Sequence, residues 1–290
     1  MHILALSSCP ERRKYYMLLI VTSLAIMPLL TLVMLHLDNR HASLLCHIAG
    51  TPRFDFVPSP PKILSDCDQL FGPDTAAAAF NLSSDYHANI SIFNAALKKT
   101  RMREGHSSQL PSQFKVLHYL ASRPNVHNIC ETGFNGGHSS FNYLTANQHV
   151  ILNSFDIGKH PYAYKMAKFM RRRFPSRFYV HFGDSRQTVP KFARAHPDHR
   201  CDLIHVDGGH SLEVAMADLL NMASMANVNT GNVIMFDDYP TFWALPRLGW
   251  AWENMRRWGY IRELLRCSFA MHKFGRGFVI GTVVRRPNLQ

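Results

Sequence analysis

No Cys-x-x-Cys pair occurs among the six cysteines, so neither a zinc-ribbon nor a thioredoxin-type site is encoded. Acidic side chains are scarce, 20 against 32 Lys and Arg, which leaves a formal charge of +12. No internal repeat is visible, which argues against a solenoid. The basic excess gathers in KMAKFMRRRFPSRF (165–178) and KFARAHPDHR (191–200). Runs of this kind ordinarily form solvated helix faces. No nucleic-acid partner is expected, because the topology read below removes the domain from nucleic acid.

Charge is missing altogether from Tyr15 to Leu35. That stretch is long enough to span a bilayer as a helix, and Pro28 is tolerated in such helices. Arg12, Arg13 and Lys14 precede it against one Glu11, whereas the following residues are nearly balanced. The positive-inside rule then predicts a cytosolic tail over 1–14, an uncleaved signal anchor over 15–37 and a translocated remainder. A cleaved signal peptide would have a shorter apolar region and a small-residue cleavage site, which does not follow promptly. The expected protein is single-pass and type II, in the Golgi or endoplasmic reticulum, attached to the membrane by that one helix. Two sequons, at Asn81 and Asn89, suit a luminal glycoprotein. Five cysteines would face the oxidising side. A bridge between Cys46 and Cys67 is expected in the stem, and Cys130 and Cys201, within apolar strand-like runs, are expected as buried free thiols.

Residues 38–90 read as a proline-rich luminal stem and 91–290 as the folded domain. Helices are expected from near Ile92 and over 110–122. From Asn125 onward, short apolar runs alternate with helical periodicity. Two final strand-like runs, around 261–274 and 275–286, follow without a long helix between them. This pattern predicts an α/β, Rossmann-like, seven-stranded and mostly parallel sheet, with helices on both faces and an antiparallel pair at one edge.

In such sheets ligands sit at the carboxyl ends of the strands. Each of the five parallel strands is expected to end in a carboxylate: Glu131, Asp156, Asp184, Asp207 and the pair Asp237-Asp238. Turns favour aspartate, so one such residue says little, but the complete set implies a pocket. The first loop, ETGFNGGHSS (131–140), is rich in glycine yet is not Gly-x-Gly-x-x-Gly. Glu131 would sit badly beside a pyrophosphate and well beside a cation, while Asp156 is placed for a ribose. Together they describe a positively charged nucleoside without phosphate.

ICETGFNGGHSS, VDGGH and FDDYP, within about 110–285, resemble the motifs of class I S-adenosylmethionine-dependent methyltransferases. More closely they resemble methyltransferase family 24, similar to macrolide-sugar and catechol O-methyltransferases. The resemblance implies that Glu131, Gly133 and Gly137 shape the methionine end of the cofactor pocket. It further implies that Asp156 binds the ribose and that Asp184 with Ser185 lies by the adenine. Asn135 stands where many relatives carry glycine. Asp207, Asp237 and Asp238 match positions that hold a divalent cation in metal-dependent relatives, for which Mg²⁺ or a similar hard ion suits three oxygen ligands. Asp207 and His210 would carry catalysis, His210 as the base for a substrate hydroxyl. The implied activity is a metal-assisted O-methyltransferase acting on a glycan or small molecule. The alternatives are a luminal glycosyltransferase, although Asp237-Asp238 lacks Asp-x-Asp spacing, or an inactive binding module. His205 is expected in the core, and Trp243, Trp250, Trp252 and Trp258 in an acceptor pocket or the core.

Overall fold

Alternating short apolar runs and amphipathic stretches assemble into one layered sheet. The computed structural model describes residues 65–66, 84–100, 102, 107–239, 248–268 and 277–288. The tail, the 15–37 anchor, Cys46 with Cys67, the Asn81 sequon and Trp243 lie outside the described residues. Among the described residues no helix is long and apolar enough to cross a membrane.

The strands are β1 (Ser65–Asp66), β2 (Asn128–Thr132), β3 (Ile151–Asp156), β4 (Phe178–Phe182), β5 (Leu203–Val206), β6 (Val233–Asp237), β7 (Ile261–Ser268) and β8 (Gly277–Val283). The helices are α1 (Ser84–Lys98), α2 (Pro111–Ser122), α3 (His138–Ala146), α4 (Pro161–Arg173), α5 (Ser185–Ala195), α6 (Leu212–Ser224) and α7 (Leu248–Arg257). Sheet order is β1-β7-β8-β6-β5-β2-β3-β4. β4, β3, β2, β5 and β6 are parallel, and β8 runs antiparallel to both β6 and β7.

The seven expected strands are present, with three differences. An eighth strand, only two residues long, pairs in parallel with β7. The β7–β8 pair is therefore not the edge: β8 inserts beside β6, and β1 covers β7. The helix α7 was not foreseen, because its aromatic-rich sequence follows a segment without clear period. It buries Trp252, which stacks on Phe236 and donates its indole N–H to Glu263 Oε2 at 2.9 Å. Two elements, β1 and α1, begin ahead of residue 91, and the Asn89 sequon falls in α1.

Helices α1 to α4 pack among themselves, as do α5 to α7, which gives the two layers of a doubly wound sheet. The first layer is closed by an aromatic cluster in which Phe93 meets Phe141, Phe169 and His138. Strand order reverses between β2 and β5, and that switch point opens a crevice at the strand ends.

The cysteine expectation is overturned. Cys130 and Cys201 are fully buried as foreseen, but they form a disulfide with their Cα atoms 5.8 Å apart. The two residues are 71 positions apart, and only the β2–β5 adjacency brings them together. Cys267 is also disulfide-bonded.

Candidate active site

At the switch point the β2 and β5 loops touch. Asp207 N donates to Thr132 O at 3.1 Å, and Gly133 N donates to Phe155 O at 2.8 Å. Gly133 has φ +93°, and a Cβ there would lie 1.8 Å from Asp207 O. Only glycine fits, because both the dihedral and the backbone contact exclude a side chain. Gly137, also at positive φ, starts α3 above the Phe134 ring.

Asn135 adopts φ 48°. Asparagine tolerates this left-handed region, so a side chain can stand at this place in the loop. Its amide N–H donates to Asp156 Oδ2 and its Oδ1 accepts from the Tyr162 hydroxyl, both at 2.7 Å. Asp156 Oδ1 accepts from Gly158 N at 2.7 Å. Asp156 thus fastens the first loop to the second, and each oxygen keeps a lone pair for a ligand.

Glu131 is completely buried at the base of this crevice. Ser140 and Ser154 donate to its Oε1 at 2.7 and 3.1 Å, and Ser139 lies at 3.3 Å. Burial pushes its pKa up to about 7, and the three hydroxyls offset part of that rise. A carboxylate held ready but short of positive charge marks the place for a cationic ligand.

A raised pKa also has a stability consequence. The folded state keeps a proton on Glu131 up to about pH 7, whereas the unfolded chain loses it near 4.5. Stability from this residue is therefore full below about 4.5 and is lost as pH rises through 7. Glu131→Gln should equal the parent near pH 4 and exceed it at pH 8 by about 3 kcal/mol, the free energy of the upward shift. Denaturant unfolding at the two pH values checks this; a constant difference would contradict it.

On the other side of the crevice, His205, Asp207 and Asp237 bring ligand atoms within 4.8 Å of one another, as do Asp207, His210 and Asp238. Asp207 belongs to both groups. His210 Nε2 lies 3.1 Å from Asp238 Oδ2. Asp238 is buried at φ 54°, and its N–H donates to Asp237 Oδ1 at 2.8 Å. A cavity of ≈ 10 Å³ among Asp207, His210, Asp237 and Asp238 has room for one water-sized sphere. The predicted acidic trio and His210 are thus gathered at one point. The donor set, carboxylates with one imidazole around a small cavity, fits a hard divalent cation.

Asp184 behaves differently from the other carboxylates. It caps α5 and is clasped by Arg186, with Nη2 at 2.6 Å from Oδ2, and the same guanidinium reaches Glu213 at 2.6 Å. The Arg186 bond holds its pKa below the ordinary range. Ser185, the first residue of α5, faces Asp218, a fully buried acid of α6. Burial pushes Asp218 up to about 6; the Ser185 and Thr132 hydroxyls offset this in part, although neither completes a hydrogen bond of good geometry.

Sequence reasoning missed Gln113, whose Nε2 donates to Asp237 Oδ2 at 2.7 Å from α2, 124 positions away. It also missed Tyr162, Asp218 and the serines around Glu131; only Ser139 and Ser140, directly after the glycine loop, offered a local signal. His205 is buried as expected, but its ring nitrogens have no hydrogen-bond partner, and burial lowers its pKa to about 4. Trp252 belongs to the core, while Trp250 and Trp258 are half-buried.

Residues 130–239 match the family 24 model, described as a methyltransferase domain. This segment is similar to that family's domain. It contains Glu131, the glycine loop and all the acidic strand ends. No curated protein sequence matches the chain. Among solved structures, the cofactor-bound Rv0187 from MTB is 19% identical over 74% of this chain and 98% of its own, with a TM-score of 0.57. The O-methyltransferase TomG from Streptomyces achromogenes, solved with SAM, is 16% identical over 77% and 100%, with a TM-score of 0.55. An O-methyltransferase from Bacillus cereus, solved with SAH, is 16% identical over 72% and 95%, with a TM-score of 0.52. These proteins share the fold of this domain.

Proposed function

We propose that the protein is an S-adenosylmethionine-dependent O-methyltransferase that uses a divalent cation and acts on a hydroxyl of a glycan or small molecule. The observation that carries this reading is the position of Asp207. It lies at the switch point, its backbone against Gly133 of the cofactor loop and its carboxylate in both acidic groups. A methyl donor bound over Glu131 and an acceptor bound near Asp207 would therefore be neighbours, which is the condition for in-line transfer.

S-adenosylmethionine supplies an electrophilic methyl, and a cation held by Asp207, Asp237 and Asp238 supplies charge that acidifies a nearby hydroxyl. The chain's own residues do the rest. Glu131 places buried negative charge beside the positive end of the donor, and Asp156 offers acceptors to the ribose. Gln113 holds Asp237 in orientation. His210, half-exposed and with Nε2 donating to Asp238, would take the acceptor proton on Nδ1 as the substrate oxygen bonds to the methyl carbon and the carbon–sulfur bond breaks, leaving S-adenosylhomocysteine. Arg186 closes the far end of the crevice through Asp184 and Glu213.

The location also belongs to this proposal: a type II protein with its domain in the secretory lumen. The Cys130–Cys201 disulfide supports it, since buried disulfides persist in oxidising compartments. The uncharged 15–35 stretch and the basic residues before it supply the orientation.

Calorimetry of the full chain with S-adenosylhomocysteine tests the reading, with and without Mg²⁺, followed by acceptor screening with S-adenosylmethionine. Saturable binding of the nucleoside, and transfer that stops on chelation, are expected. Binding of a nucleotide sugar in its place would establish the glycosyltransferase alternative instead.

A further inference from the structure

In the sheet, His205 of β5 stands opposite Glu131 of β2 and Met235 of β6. Alternation along the strands then puts Glu131, His205 and Asp237, two residues beyond Met235, on one face. Helices α2 and α3 cover that face. Gln113 reaches Asp237, Ser140 reaches Glu131, and the Tyr143 ring meets the His205 ring edge-on with centroids 6.1 Å apart. Asp207 follows His205 by two positions, and ligand atoms of His205, Asp207 and Asp237 lie within 4.8 Å of one another.

This imidazole takes no part in the proton transfer, and packing does not account for it. It is 1% exposed, and neither ring nitrogen has a hydrogen-bond partner. A buried polar side chain ordinarily has at least one partner, and leaving such a group bare costs about 1–3 kcal/mol. An apolar side chain of similar size in β5 would avoid that cost. The Tyr143 hydroxyl is likewise buried without a partner. Two acids and a bare imidazole whose ligand atoms converge form a donor set, and a bound ion is the partner that the ring lacks.

Given the divalent cation of the proposed reaction, on which this inference rests, we propose that His205 is one of its ligands, beside Asp207 and Asp237. Asp207 is shared with the group that contains His210 and Asp238, so one carboxylate joins the buried imidazole to the half-exposed side of the site. A nitrogen ligand changes which ion the site takes. Oxygen ligands alone suit Mg²⁺, whereas imidazole favours transition ions. The site therefore prefers a first-row transition ion over Mg²⁺.

Mn²⁺ is the probe, bound to the full chain. Calorimetry measures its affinity, and pulsed electron paramagnetic resonance reads whether nitrogen is attached to the bound ion. His210 is a second imidazole grouped with Asp207, so the spectrum is taken in His210→Asn. Nitrogen coupling should persist there, and labelling histidine with the heavy nitrogen isotope should change it, which requires no substitution at His205. Asp207→Ala should lose the coupling, which ties it to this site. His205→Gln should also lose it and bind Mn²⁺ several-fold more weakly, with a smaller change for Mg²⁺; the near-ultraviolet circular dichroism of the parent shows that this variant is folded. Mn²⁺ bound without histidine coupling in His210→Asn overturns the assignment of His205 and leaves the cation in place. Coupling that survives in folded His205→Gln, or in Asp207→Ala, overturns the assignment as well. A parent that binds neither Mn²⁺ nor Mg²⁺ overturns both the assignment and the cation.

Discussion

Asp207→Ala is expected to lower methyl transfer on the order of a thousandfold while leaving nucleoside binding nearly unchanged. The separation follows from which atoms do what. The cofactor loop is braced by the backbone of Asp207, through its N–H to Thr132 O and its carbonyl against Gly133. Alanine keeps both of those contacts. What it removes is the carboxylate common to the two acidic groups. Single-turnover rates with calorimetry of S-adenosylhomocysteine separate the two quantities. Retention of full turnover after chelation, in the parent or the variant, would remove the cation from the mechanism. Asp238→Ala should lower turnover in the same way, and Asp238→Asn is the cleaner companion because asparagine tolerates the φ of 54°. His210→Ala should have a smaller effect, since solvent can accept a proton at a half-exposed position.

The second large effect concerns the fold. Removing the Cys130–Cys201 bridge by Cys130→Ala/Cys201→Ala should destabilise the domain by about 4 kcal/mol, from the closure entropy of its long loop. Against a typical domain stability of about 5–15 kcal/mol this is a large fraction. The bridge joins β2 to the start of β5, the two strands whose ends make the crevice, and Cys130 immediately precedes Glu131. Loss of stability should therefore be accompanied by weaker nucleoside binding. Denaturant unfolding of parent and double variant, each with and without reductant, gives the measurement. Without reductant the variant's midpoint should lie below the parent's, and with reductant, which also opens the Cys267 disulfide in both, the two midpoints should coincide. A parent whose midpoint ignored complete reduction of this bridge would contradict the assignment.

Much of the site was legible along the chain because its chemistry sits at fixed places in a repeating pattern. A parallel strand must be short and apolar, and the residue after it enters a turn at the ligand-binding end. Glu131, Asp156, Asp207 and Asp237-Asp238 could therefore be assigned to one side of the sheet before their mutual distances were known. Gly133 was readable for the same reason, and the structure adds the cause, a carbonyl where its side chain would be. Asp184 shows the limit of the pattern. Its position at a strand end was correct, but its carboxylate is committed to Arg186 and to the cap of α5.

The amino-acid order by itself determined the alternation of strand and helix, the line of carboxylates, the glycine-lined first loop and the uncharged stretch near the start. These depend on neighbours within a few residues, where period and turn chemistry act. Tertiary structure alone decided that Cys130 meets Cys201, that Gln113 holds Asp237, that β8 enters beside β6 and that β1 adds an eighth strand. Each of these joins residues far apart in sequence, and side-chain type at one end does not name the partner at the other. Strand order selects those partners, because it is set by which buried faces fit together.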